Sequence, residues 1–190
     1  MSREPSRVGR RAILEASIGL GLCLAPGRLF GQPDPASIFP KTGDLLVRAG
    51  GSDVPQPLTP DDIGLNEAPT TAWAMDPVDK TVRSGSRLNA VLLVRFDPSR
   101  LSAVSRSLAA SGVVAYTAIC THSGCEVSDW VADDHILSCP CHDSLFDPKD
   151  EGKVADGPAP RKLPALPLSV VDGKLAVAGP FTSRVGFELL

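Results

Sequence analysis

The sequence lacks an excess of basic residues. It carries 19 lysines and arginines against 22 aspartates and glutamates, a formal net charge of −3. Five arginines and two glutamates make residues 1–31 positive, so residues 32–190 carry a net charge of −6. Nucleic-acid phosphates require a basic protein face. The composition therefore argues against a nucleic-acid partner, whereas a basic protein partner or simple solubility charge would both account for it.

The first 31 residues also lack an apolar run long enough to span a membrane. Their longest uncharged stretch, Ala16 to Gly27, has 12 residues. A span needs about 20, whereas the apolar part of an export signal has roughly 7–15. Arg10 and Arg11 precede this stretch and resemble a twin-arginine signal, which exports folded proteins. We predict an export signal over 1–31, a bacterial periplasmic location and a linker over 32–41; without an A-x-A cleavage site, the signal could also remain as an anchor.

Large aromatic residues are rare, whereas turn-forming residues are common. Six phenylalanines stand against 18 prolines and 17 glycines, which favours short strands and turns over long helices. We predict a mainly β fold with a loop over 51–72 and one helix over 97–112, capped by Asp97 and ended by Gly112. Strands are predicted over 43–50, 87–96, 113–119 and 134–138, and a hairpin over 166–179 with its turn at Asp172–Gly173.

Four cysteines and two of the three histidines lie in two short blocks. The first is CTHSGC, Cys120 to Cys125, and the second is CPCH, Cys139 to His142. In an exported chain four cysteines ordinarily form two disulfides, but this leaves both histidines unexplained. A Cys₂His₂ zinc site leaves two cysteines without a role. A cysteine nucleophile needs a free thiolate and a base, which an oxidising compartment disfavours.

Both blocks together resemble the two cluster-binding boxes of Rieske [2Fe–2S] proteins, where two histidines replace two cysteines on one iron. The resemblance implies one Rieske [2Fe–2S] cluster as the cofactor. By position, Cys120 and Cys139 would bind one iron, and His122 and His142 the other. The remaining pair, Cys125 and Cys141, matches the cysteines that form a disulfide between the two loops in one branch of the family.

The resemblance also extends to residues around the boxes. Ser144 would donate its hydroxyl to a bridging sulfide. Phe146 stands where the family usually has a tyrosine, and Asp143 adds a negative charge. The loss of the tyrosine hydroxyl as a hydrogen-bond donor and the added Asp143 carboxylate both disfavour uptake of an electron by the cluster. We therefore expect a lower reduction potential than in quinol-oxidising members. The core of the covering proline loop would be Gly157 and Pro158, followed by Ala159 and Pro160.

In fold terms, the resemblance implies a Rieske-like antiparallel β-sandwich over 42–190, with a small cluster-binding part at about 118–162 and one short helix before it. In function, it implies one-electron transfer between a partner oxidoreductase and a cytochrome c-like acceptor, as in the small subunit of arsenite oxidase. The alternative partner is a quinol-oxidising subunit of a cytochrome bc-type complex, but Ser123 replaces that group's usual leucine. Membrane contact would require the N-terminal segment to be retained. A structural zinc protein is the alternative from another class.

Overall fold

The computed structural model describes residues 34–51 and 54–187, so the predicted export signal lies outside the described residues. This part of the chain is mainly β, as predicted. One short α-helix, α1 (Ala103–Leu108), precedes the cysteine–histidine blocks. The strands are β1 (Leu45–Arg48), β2 (Thr70–Met75), β3 (Val91–Arg95), β4 (Val113–Thr117), β5 (Asp129–Val131), β6 (Ile136–Cys139), β7 (Ser144–Asp147), β8 (Lys153–Asp156), β9 (Leu168–Val171) and β10 (Lys174–Val177).

The strands form two antiparallel sheets. A six-stranded sheet has the order β4-β3-β2-β1-β10-β9, and a four-stranded sheet has the order β5-β6-β7-β8. The larger sheet curls back on itself, because the segment before β9 hydrogen-bonds to β4. The amide of Thr117 donates to the carbonyl of Pro164 at 3.0 Å, and the amide of Leu166 donates to that of Ala115 at 2.9 Å.

β3 and β4 divide their side chains between two apolar clusters. Leu92 and Val94 face the cluster shared with the four-stranded sheet, whereas Leu93 packs with Leu46 and Leu175 inside the curled sheet. This division follows from the two-residue period of a strand. It also explains the continuous apolar run in β3, since both of its faces are buried.

The structure corrects several predicted boundaries. The strand predicted over 87–96 begins at Val91, because a 3-10 turn over Arg87–Asn89 precedes it. The helix predicted over 97–112 is two shorter pieces, a 3-10 turn capped by Asp97 and α1 capped by Ser102. The loop predicted over 51–72 overlaps the first three residues of β2, and the sequence predicts no strand at β5, β7 or β8. The hairpin of β9 and β10 with its Asp172–Gly173 turn is confirmed.

A buried ion pair lies beside strands β1 and β2 of the six-stranded sheet. The Arg83 guanidinium donates to both carboxylate oxygens of Asp44, one of them at 2.9 Å, and both residues are only 2% exposed. Arg83 also donates to the carbonyl of Pro35 at 3.2 Å. The pair thus joins β1 to the loop after β2 and to the described start of the chain. Among residues 34–51 and 54–187, no helix is long and apolar enough to cross a membrane.

Candidate metal centre

The first block continues the inward face of β4. This face carries alternate residues of the chain, Tyr116, Ala118 and Cys120. All three pack in the apolar core that the larger sheet shares with the four-stranded sheet. The backbone then closes into a turn, because the Cys120 amide donates to the Cys125 carbonyl at 2.8 Å and the Gly124 amide donates to the Cys120 carbonyl at 3.1 Å. Gly124 has a φ of +76°, a conformation that glycine adopts without strain. The Cys120 side chain is therefore directed into the core by strand alternation.

The second block is the connection of the β6–β7 hairpin. Cys139, the last residue of β6, pairs with Ser144, the first residue of β7. Gly157, with a φ of +87°, lies directly against this connection. A Cβ atom at Gly157 would be 2.6 Å from both the Asp143 carbonyl oxygen and the Ser144 Cα atom. Glycine therefore lets the loop after β8 approach the second block, while the next residue, Pro158, is exposed.

A disulfide bond joins the two blocks. It links Cys125 to Cys141, which confirms the predicted pair, and the two Cα atoms are 6.5 Å apart. The Cys139 sulfur lies within 4.8 Å of both disulfide sulfurs. Because the disulfide sulfurs are already bonded to one another, Cys139 is the member of this group with a free thiol.

The two remaining cysteines of the blocks, Cys120 and Cys139, form a buried thiol pair. Cys120 and Cys139 are at most 1% exposed and are not in a disulfide. Burial raises the pKa of the Cys139 thiol, and a hydrogen bond with the Cys120 thiol adds to this shift. A thiolate is stable in an apolar core only beside a positive charge, which a bound metal supplies.

The two histidines form a second pair nearer the surface. Their ring centroids are 4.6 Å apart in an edge-to-face arrangement. His142 is exposed and His122 half-buried. The four residues predicted as ligands are therefore arranged as two buried thiols and two imidazoles closer to solvent. Their assignment as ligands stays a prediction.

Two orphaned polar atoms indicate that a bound group completes this site. The Ser144 hydroxyl and the Nδ1 atom of His122 are buried, and neither has a hydrogen-bond partner among the described residues. Buried polar atoms without partners are uncommon in native proteins. The Ser144 hydroxyl could donate to a sulfide, and an imidazole nitrogen could bind iron. Phe146 lies on the same strand as Ser144 and is fully buried. The residues present therefore fit an iron–sulfur cluster, which takes up and releases one electron when bound.

Two residues that the sequence analysis did not predict, Thr121 and Arg87, make hydrogen bonds that hold the first block in place. The buried Thr121 hydroxyl donates to the Arg161 carbonyl at 2.6 Å, which joins the block to the proline loop. The Arg87 guanidinium donates to the Gly124 carbonyl at 2.7 Å. Thr121 stands within the CTHSGC motif, but Arg87 is 33 residues before it in the chain, and no local sequence signal relates the two.

Comparison with known proteins agrees with this geometry. A family model described as the Rieske [2Fe-2S] domain matches residues 89–167. The cytochrome bc1 complex Rieske iron-sulfur subunit of Streptomyces lividans is 35% identical over 149 residues, which cover 76% of this chain and 85% of that protein. The subunit of the same name in Streptomyces coelicolor is 32% identical over 196 residues, 95% of this chain and 54% of that protein.

A third relative is named as the Rieske subunit of a respiratory nitrate reductase in Haloferax mediterranei. It is 42% identical over 106 residues, which cover 55% of this chain and 47% of that protein. The chain thus spans about half the length of two of these three relatives. The family match contains both cysteine–histidine blocks, and the Streptomyces lividans protein is matched over most of its length. The chain belongs to the Rieske [2Fe–2S] family, and its biochemical role is one-electron transfer through an iron–sulfur cluster.

Proposed function

We propose that this chain is an exported electron-transfer subunit or carrier that works in the bacterial periplasm. It would pass single electrons between a partner oxidoreductase and a cytochrome c-like acceptor. The observation that carries this proposal is the arrangement of the site, with thiols buried and imidazoles near the surface. An exposed His142 ring offers an electron a short route to a partner protein.

The surroundings of the site favour an acceptor protein over a quinol pocket. Ser123 in the first block and Asp143 directly after the second are both exposed, so the exposed surface of the blocks is polar and includes a negative charge. Phe146 supplies no hydroxyl to a cluster sulfur, which favours a lower potential. The −6 charge of residues 32–190 also suits a basic partner such as many cytochromes c. The nitrate reductase relative supports a partner oxidoreductase other than a quinol-oxidising complex.

A second candidate role is the Rieske subunit of a cytochrome bc1-type complex. The two Streptomyces relatives favour it, since both are named as subunits of that complex. This role would require the N-terminal segment to act as a membrane anchor. The two roles therefore differ in where the chain is found and in which protein reduces it.

Fractionation of the native bacterium separates the two roles. The full chain, followed by antibody, should appear in the periplasm or in the salt wash of membranes, and should copurify with an oxidoreductase. The reduced, purified chain should then pass its electron to a cytochrome c in a stopped-flow experiment, and faster at low salt. Recovery only in detergent extracts, together with cytochrome b and quinol-oxidising activity, would overturn the carrier proposal in favour of the bc1-type role.

A further inference from the structure

The end of the described chain returns to the first cysteine–histidine block. Residues 182–187, here called the C-terminal strap, begin with a two-way contact to the segment before β9. The Thr182 amide donates to the Ala165 carbonyl, and the Ala165 amide donates to the Thr182 hydroxyl, both at 2.9 Å. The strap then runs to Phe187, whose side chain is 38% exposed.

Phe187 packs directly on the backbone of the first block. A Cβ atom placed on Gly124 would be 2.9 Å from the Cδ1 atom of Phe187, so only glycine allows the ring to approach this closely. The Arg87 guanidinium also holds Gly124, by donating to the Gly124 carbonyl at 2.7 Å. Gly124 in turn donates its amide to the carbonyl of Cys120. The aromatic ring and the guanidinium therefore act on the turn that contains Cys120 and His122.

A second connection ties the strap to the same block through the proline loop. The Arg161 guanidinium donates to the Gly186 carbonyl. The Arg161 carbonyl accepts from the buried Thr121 hydroxyl at 2.6 Å. Hydrogen bonds thus link the strap through the proline loop to Thr121, on one side of His122, while Arg87 and Phe187 hold Gly124 on the other side. A cavity of about 160 Å³ borders this contact and is lined by Arg87, Leu88, Ile119, Gly124 and the strap.

We propose that Phe187 and Arg87 are positioning residues for electron transfer, because they fix the Gly124 turn and limit the access of water to the first block. The reduced cluster carries one more negative charge than the oxidised cluster. Water admitted beside it would stabilise the reduced form and raise the potential, since the apolar surroundings of a metal site set its dielectric and solvent access. This proposal depends on the Rieske cluster and not on the identity of the acceptor.

The test compares Phe187→Ala, Phe187→Leu and the unchanged holoprotein. We expect Phe187→Ala to shift the redox equilibrium toward the reduced form by roughly threefold, about 28 mV by voltammetry for a one-electron couple. Hydrogen exchange of the Gly124 amide, followed by mass spectrometry, should become faster in the same variant. Phe187→Leu keeps an apolar side chain over the turn, so its potential and its Gly124 exchange rate should be close to those of the unchanged protein.

Phe39→Ala is the matched control. Phe39 is also a partly exposed phenylalanine, at 47%, but the ring that it contacts is that of Phe181. It should leave the potential and the Gly124 exchange unchanged. A folded Phe187→Ala protein whose potential is unchanged or lower, or whose Gly124 exchange matches that of Phe39→Ala, would overturn the proposal. A loss of thermal stability alone, equal in both alanine variants, would also contradict it.

Discussion

At the residue scale, the Ser144 hydroxyl gives specific evidence for a bound group, because it is buried without a hydrogen-bond partner among the described residues. If it donates to a cluster sulfide, Ser144→Ala should leave the cluster in place but lower its potential. A hydrogen bond to a charged acceptor is worth about 1.5–3 kcal/mol. Since both redox states gain from it, the fall should be roughly some tens of millivolts, at about 59 mV per tenfold change in equilibrium constant.

Ser138→Ala is the control for this measurement. Ser138 precedes Cys139 in β6, so strand alternation places the two side chains on opposite faces of the sheet. The reduction potential of the Ser138→Ala protein should match that of the unchanged protein in protein-film voltammetry. Equal potentials in all three proteins would show that the Ser144 hydroxyl does not reach the cluster.

A substitution at Phe146 should change the reduction potential in the opposite direction. Its ring is fully buried in the apolar cluster that also contains Cys120 and Cys139. Phe146→Tyr would add a hydroxyl that can donate to a ligand sulfur, and a donor to sulfur stabilises the reduced cluster. We expect the potential to rise by roughly some tens of millivolts. A potential that stays level or falls while the cluster remains intact would contradict the position inferred for this hydroxyl.

At the scale of elements, the disulfide connects the turn after β4 to the β6–β7 connection. Cys125→Ser should leave the four predicted ligands in place, so the cluster should still assemble. The two blocks would separate more easily, and the cluster should be lost faster under air, as followed by its visible absorbance. Disulfide contributions range over roughly 0–5 kcal/mol. Cys141→Ser should give the same rate, and a decay rate unchanged in both variants would contradict a covering role for the bond.

The individual elements differ in how far the sequence predicts them. β3 and β4 are predictable because burial on both faces produces continuous apolar runs. β7 is not, because only four residues form it and one of its two buried residues, Ser144, is polar. α1 is shorter than the predicted helix, and its only buried residue is Ser105 while Val104 is exposed, so it presents no continuous apolar face to the core.

The candidate site is more predictable than the sheets around it. The resemblance of two short blocks to the Rieske boxes implies two thiols, two imidazoles and a disulfide pair. The contacts of Arg87 and Phe187 are not predictable in this way, since each arises from a residue distant in the chain that only the curled sheet brings to Gly124.

At the scale of the whole molecule, the buried Arg83–Asp44 pair joins β1 to the start of the domain. Arg83→Met would leave a buried carboxylate without its cation, a loss that typically costs about 3–5 kcal/mol of unfolding free energy. We expect a clearly lower urea midpoint by fluorescence and an unchanged cluster potential, since neither residue contacts the blocks. The control is Arg95→Met, which breaks an exposed pair with Asp61 and should cost at most about 1 kcal/mol. Equal midpoints in the two variants would contradict this account.

Metal and sulfide analysis of the purified native chain, combined with electron paramagnetic resonance of its reduced form, tests the central claim most directly. The account predicts two irons and two acid-labile sulfides per chain, no stoichiometric zinc, and a signal of mixed histidine–cysteine ligation. His122→Ala and His142→Ala should each abolish that signal, because each removes one of the two predicted imidazole ligands. Zinc without iron, or the same signal retained in both histidine variants, would contradict the account.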